Sequence, residues 1–127
     1  MNHKDAVAAL ASLAQDSRLA VFRLLVRRGP EGYQAGEIAA RLDLPGPTLS
    51  FHLKSLAQAG LVTARRDGRF LHYTASMPRV NALVGYLTEH CCSLGSACDP
   101  ECAPTVAGPA RAPRVARLAA VARRARR

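Results

Sequence analysis

The chain has 127 residues, 49% of them hydrophobic and 21% charged, with a formal net charge of +9. That balance is globular, at a length for one ordinary domain plus extra segments, and it holds no run of about 18 apolar residues that would cross a bilayer. All nine acidic residues and eleven of the 18 Lys/Arg lie in residues 1–102, whereas residues 103–127 carry seven arginines and no acid. The positive charge alone therefore does not make residues 1–102 a polyanion binder; the positions of their cations must.

The N-terminal "MNHKDAVAALASLAQDSR" has acids at Asp5 and Asp16 and only a short apolar core, so it reads as an amphipathic helix rather than a secretory leader. A cytoplasmic protein is expected, with no membrane partner and its thiols kept reduced. Val7, Leu10, Leu13 and Ala14 make one apolar face. Asp16 or Ser17 can cap a second helix bearing Leu19, Phe22, Leu25 and Val26, which Gly29-Pro30 ends. A shorter helix is predicted over Ala35–Leu42, with Ile38, Ala39 and Leu42 facing inward. "DLPGP" breaks it, Pro47 suits a first helical position, and Leu49, Leu53 and Leu56 repeat until Gly60.

Strand patterns follow. "LVTARR" and "RFLHYT" flank Asp67-Gly68, a two-residue linker suited to the positive φ angles of a type I′ hairpin. Pro78 opens a last helix with Val80, Leu83, Val84 and Leu87 on one face, running into the cysteines. Beyond them, "APTVAGPARAPR" has the composition of a disordered segment, and the final arginine-rich residues suit a basic helix formed on contact with a partner. Three parts are expected: a domain over 1–92, a cysteine-bearing segment over 93–104, and a flexible Arg-rich tail over 105–127.

Helix, tight turn, helix and hairpin together describe a mainly α winged helix-turn-helix with a small β wing. In that arrangement the second helix of the pair enters the major groove and the hairpin meets phosphates beside it. Thr48, Ser50, His52, Lys54, Ser55 and Gln58 are read as lying off the leucine stripe of the recognition helix, and Arg65, Arg66 and Arg69 surround the wing tip. A solvated loop and ordinary surface polarity account for the same residues on spacing alone.

"LAQDSRLAVFRLLVRRG", "TLSFHLKSLAQAGLV" and "RRDGRFLHY" resemble the corresponding blocks of the ArsR/SmtB family of bacterial metal-sensing repressors, over about residues 5–92. The resemblance implies a winged-helix homodimer, joined mainly through its first and last helices. It also implies a repressor of double-stranded operator DNA that is released when a metal or metalloid binds. On that basis Val7, Leu10, Val80, Leu83 and Leu87 are candidates for the dimer seam, with an intrachain core an equal alternative at each. Phe51 departs from the family, which often has a basic or amide side chain there; it can meet a thymine methyl or turn inward.

All four cysteines fall between Cys91 and Cys102, in "HCCSLGSACDPEC". Of the family's inducer sites, the Cys-x-Cys arrangement before the recognition helix is absent, because "YQAGEIAARL" holds no cysteine. The Asp-x-His arrangement of the last helix is absent too, since His90 stands alone. A third arrangement, an adjacent pair at the end of the last helix with one cysteine shortly after, matches Cys91, Cys92 and Cys98. Its implied inducer is trivalent arsenic, with antimony(III) or methylarsenite as variants, and no organic cofactor.

Soft thiolates select soft centres, and trivalent arsenic prefers three sulfurs in a pyramid. Cys102 is then a fourth ligand, an alternative to Cys98, or a bystander. A four-cysteine zinc site is the main rival, although an adjacent pair is awkward in a tetrahedron. A Cys91–Cys92 disulfide is disfavoured, because neighbouring Cα atoms about 3.8 Å apart fall below the usual disulfide minimum of about 4.4 Å. A thiol-dependent metalloid enzyme or carrier is the alternative of another class. It fits less well, because cysteines after a helix C-terminus lack the electropositive setting that activates a nucleophile. The expectation is a repressor and not an enzyme.

Overall fold

Breakers and caps in the sequence mark the elements of the computed structural model, which describes residues 1–102. The expectations for the Arg-rich tail lie outside the described residues. In chain order the elements are α1 (His3–Leu13), α2 (Asp16–Arg28), α3 (Ala35–Leu42), α4 (Gly46–Gln58), β1 (Val62–Asp67), β2 (Phe70–Ala75) and α5 (Met77–Thr88). Short 3-10 turns occupy Gly29–Glu31 and Pro100–Cys102.

Asn2 caps α1 through its side-chain oxygen, which accepts from Asp5 N–H at 2.7 Å. The cap of α2 is Gln15, accepting from Arg18 N–H at 2.8 Å, one residue before the expected Asp16 or Ser17. Between α3 and α4, Asp43 takes φ 55, a left-handed conformation that aspartate tolerates, and Pro45 then starts the next helix. Ser76 caps α5, accepting from Arg79 N–H at 3.4 Å.

Residues 1–89 form one compact unit and a second begins at His90. The first boundary thus comes three residues before the expected 92. Helix α5 also stops at Thr88, so the cysteines follow the helix rather than extending it. The core of the first unit is built from α2, α3, α4, the start of the hairpin and α5, with Val21, Leu25, Ile38, Leu49, Leu56 and Leu61 fully buried. Each such side chain contributes about 1.5–3 kcal/mol of apolar burial. Helix α1 meets this core with small residues, Ala6, Ala9 and Ser12, while Val7 and Leu10 stay exposed.

The hairpin is antiparallel and closes with Asp67 opposite Phe70. Its turn is therefore Gly68-Arg69, one residue later than expected. Among its residues Gly68 alone has a positive φ, at 66°, whereas a type I′ turn needs two. Tyr33 joins the hairpin as a bridge, exchanging backbone hydrogen bonds with Tyr73 at 3.1 and 2.8 Å. Guanidiniums of Arg28 and Arg41 each lie 4.7 Å from the Tyr33 ring centre, covering the buried phenol with cations.

Candidate functional site

Helix α4 presents two faces. Leu49, Leu53 and Leu56 enter the core, while Thr48, Ser50, Phe51, Lys54 and Gln58 are exposed and Ser55 is half-buried. Phe51 is 65% exposed, so the inward alternative does not hold. His52 corrects the reading of the sequence: it is buried at 7% exposure. Positions 49, 52, 53 and 56 run i, i+3, i+4, i+7, which makes His52 part of the apolar stripe rather than of the polar face.

Its Nδ1 is buried without a hydrogen-bond partner among the described residues. A buried unpaired polar atom costs stability, so His52→Leu should leave the fold at least as stable, with a gain of up to about 1 kcal/mol. Urea unfolding checks the stability, and DNA affinity within twofold of wild type distinguishes a core residue from a reader of bases.

The wing carries Arg65, Arg66 and Arg69, all exposed. Arg65 folds back onto its own chain, its Nη1 donating to the Pro30 carbonyl at 3.1 Å and its Nη2 to the Glu31 carbonyl at 3.4 Å. Arg66 and Arg69 make no such backbone contact among the described residues. Phe70, 51% exposed beside the turn, is a surface feature that sequence reading missed. Strand alternation from the buried Val62 carried too little contrast to single it out.

The proposed seam residues divide. Val7, Leu10 and Leu87 are exposed at 51%, 43% and 58%, Val80 packs partly against the core, and Leu83 belongs to the core of its own chain at 5% exposure. Helices α1 and α5 are neighbours, linked by His3 Nδ1 and the Tyr86 hydroxyl at 3.2 Å and by an Asp5–Arg79 ion pair at 4.0 Å.

In the second unit the sulfurs of Cys91, Cys92, Cys98 and Cys102 all lie within 4.8 Å of one another. Cys92 is the hub: its Sγ is 2.8 Å from Cys98, 3.5 Å from Cys102 and 3.6 Å from Cys91. Two left-handed residues, His90 at φ 58 and Cys92 at φ 64, turn the chain back on itself, and Ser93 N–H donates to the His90 carbonyl at 2.9 Å. Gly95 N–H likewise donates to the Cys92 carbonyl at 3.1 Å, which brings Cys98 round.

Sulfur hydrogen bonds divide the acidities. Cys98 first, then Cys102 and Cys91, favour a thiolate at Cys92 and hold its pKa below the ordinary thiol value. Hydrogen bonding to Cys92 pushes Cys98 and Cys91 up. An all-sulfur donor set of this kind fits a soft, thiophilic ion and not an oxygen-preferring one.

Two packed helices with an exposed polar face on the second, followed by a hairpin with arginines at its tip, define a winged-helix DNA-binding regulator. Comparison with known proteins agrees. A helix-turn-helix domain model matches residues 13–65. The transcriptional activator HlyU of Vibrio cholerae is 32% identical over 91 residues, covering 72% of this chain and 82% of that protein. The solved structure of HlyU matches with a TM-score of 0.56, over 72% of this chain and 99% of that one.

A probable mercury resistance operon repressor of Streptomyces lividans is 31% identical, covering 84% and 82%. A putative arsenical resistance operon repressor, ArsR, of Halobacterium salinarum is 35% identical over 56% of this chain and 54% of that protein. The chain belongs to the ArsR family of transcriptional regulators. Each of these relatives is described as a regulator of transcription. No helix among the described residues is long and apolar enough to cross a membrane.

Proposed function

We propose that this regulator is a repressor that binds operator DNA as a homodimer and is released when trivalent arsenic binds Cys91, Cys92 and Cys98. The observation that carries the reading is the convergence of the chain's cysteine sulfurs to within 4.8 Å, with no carboxylate or imidazole in the group. Two relatives are described as operon repressors of resistance to thiophilic elements, mercury and arsenic, which supports both the repressor role and the class of inducer. Antimony(III) and methylarsenite are thiophilic as well and are variants of the same inducer class.

Thr48, Ser50, Phe51, Lys54 and Ser55 would meet base edges and phosphates from α4, with Phe51 offered to a thymine methyl. Arg66 and Arg69 would reach phosphates from the wing, and Arg65 would do so only by leaving the Pro30 and Glu31 carbonyls. Exposed Val7 and Leu10 on α1 and Leu87 on α5 would form the dimer seam, with Val80 at its edge. Leu83 supports that seam from within the core. Cys91 follows the end of α5 by three residues, so an ion gathering the sulfurs pulls on the chain next to a seam helix.

The test is fluorescence anisotropy of the reduced protein on a fragment of its own promoter. Arsenite is expected to weaken binding about a hundredfold, a coupling of about 2.7 kcal/mol. Tight binding that is indifferent to arsenite would remove the inducer reading, and no specific binding would remove the repressor.

A further inference from the structure

We infer that Cys102 sets the class of ion the cluster accepts: Cys91, Cys92 and Cys98 suffice for a trivalent metalloid, and Cys102 completes a four-sulfur shell for a soft divalent cation. This rests on reading the cluster as the inducer site. Thiolates around a tetrahedral ion with bonds of about 2.3 Å stand about 3.8 Å apart along each edge. The Cys92 sulfur is already 3.5 Å from Cys102 and 3.6 Å from Cys91, its 2.8 Å separation from Cys98 has to open by about 1 Å, and no pair in the cluster exceeds 4.8 Å. Those separations bracket the tetrahedral edge, from 2.8 Å to at most 4.8 Å.

Spacing alone made the adjacent pair look unsuited to a tetrahedron, because neighbours in an extended chain point apart. With Cys92 at φ 64 the two side chains instead present their sulfurs as one edge. Cys102 arrives by a separate local device. Asp99 accepts Glu101 N–H on its Oδ1 at 2.9 Å and Cys102 N–H on its carbonyl at 2.8 Å, closing the Pro100–Cys102 turn. The turn returns the fourth sulfur to the hub. A three-sulfur site has no use for it.

Three thiolates balance the charge of a trivalent centre and leave room for its lone pair, so the fourth stays outside. A d10 divalent ion such as zinc has no such lone pair and takes all four.

The experiment uses the reduced full-length chain, whose four cysteines are the only thiols to count. Protein saturated with arsenite or with zinc is exposed briefly to a chromogenic thiol reagent. Arsenite is expected to protect three thiols and zinc all four. Cys102→Ser should lower zinc affinity at least tenfold in chelator competition, while arsenite affinity stays within twofold.

Zinc leaving a thiol reactive while arsenite protects three would overturn the assignment of Cys102 alone. Zinc protecting four while arsenite protects none would overturn the metalloid reading and leave the four-sulfur shell standing. Equal losses of both affinities in Cys102→Ser would overturn the division of labour between three and four sulfurs.

Discussion

Replacing Cys92 by serine should abolish release from operator DNA by arsenite while leaving the DNA affinity of the inducer-free protein within twofold of wild type. Cys92 holds the centre of the cluster, with the other three sulfurs 2.8, 3.5 and 3.6 Å from its own. A serine oxygen at that point is a harder donor and a far weaker ligand for a soft centre. The remaining thiols lose the hub toward which each is turned. If inducer binding supplies about 2.7 kcal/mol of coupling, its loss removes the whole hundredfold response. DNA affinity should persist, because no proposed reading residue lies beyond Glu89. Anisotropy titrations of the variant with and without arsenite check both halves, and an undiminished response in Cys92→Ser would sink the assignment.

The second large effect is on the fold. Gly32→Ala should destabilise the protein by about 2–4 kcal/mol, a large part of the 5–15 kcal/mol that holds a typical domain together. Gly32 has φ 72, and a Cβ there would stand 2.6 Å from the Tyr73 carbonyl oxygen and 2.9 Å from Thr74 Cγ2. The left-handed backbone alone costs an alanine about 1 kcal/mol. The clash adds more, because the carbonyl belongs to a strand and cannot swing away. Relief requires parting Tyr33 from Tyr73, the bridge that ties the wing to the chain before α3. Gly68→Ala is the control: it has a similar φ of 66° but open space around the site. Urea unfolding should therefore show a much smaller loss for Gly68→Ala, and equal losses would mean that the close approach at Gly32 is unimportant.

Much of this architecture is legible in the sequence, and the failures have local causes. Helix α3 has the boundaries the sequence predicts because an apolar stripe and the breaker after it agree over eight residues. The leucine stripe of α4 is equally plain, and the place of His52 in the i, i+3, i+4, i+7 series, not its polarity, decides its burial. Position outweighs residue type when a helix is packed on one side.

In α1 the stronger hydrophobes Val7 and Leu10 make an apolar face that stays exposed, and Ala6 and Ala9 are the residues that meet the core. Small side chains permit close helix packing, and periodicity does not reveal which of two apolar faces a neighbour covers. The hairpin turn was displaced by one residue because Asp67 and Gly68 are good turn residues in either register. For the cysteines, spacing pointed to a cluster. The awkwardness attributed to adjacent thiols disappeared only once the left-handed φ of Cys92 was visible, a value no sequence rule assigns to a cysteine.

The cysteine segment has one more consequence, for the history of such proteins. All its proposed ligands lie on twelve consecutive residues, and among the described residues none of the core positions lies past Leu83. Closing loops this short costs little chain entropy, since each doubling of loop length adds only about 0.6 kcal/mol. Insertions, deletions or ligand swaps in this stretch replace none of the core residues of the winged helix. A lineage can therefore change what it detects by altering one short stretch while the part that reads DNA is inherited intact, so that related chains can share an operator and differ in the poison they answer to.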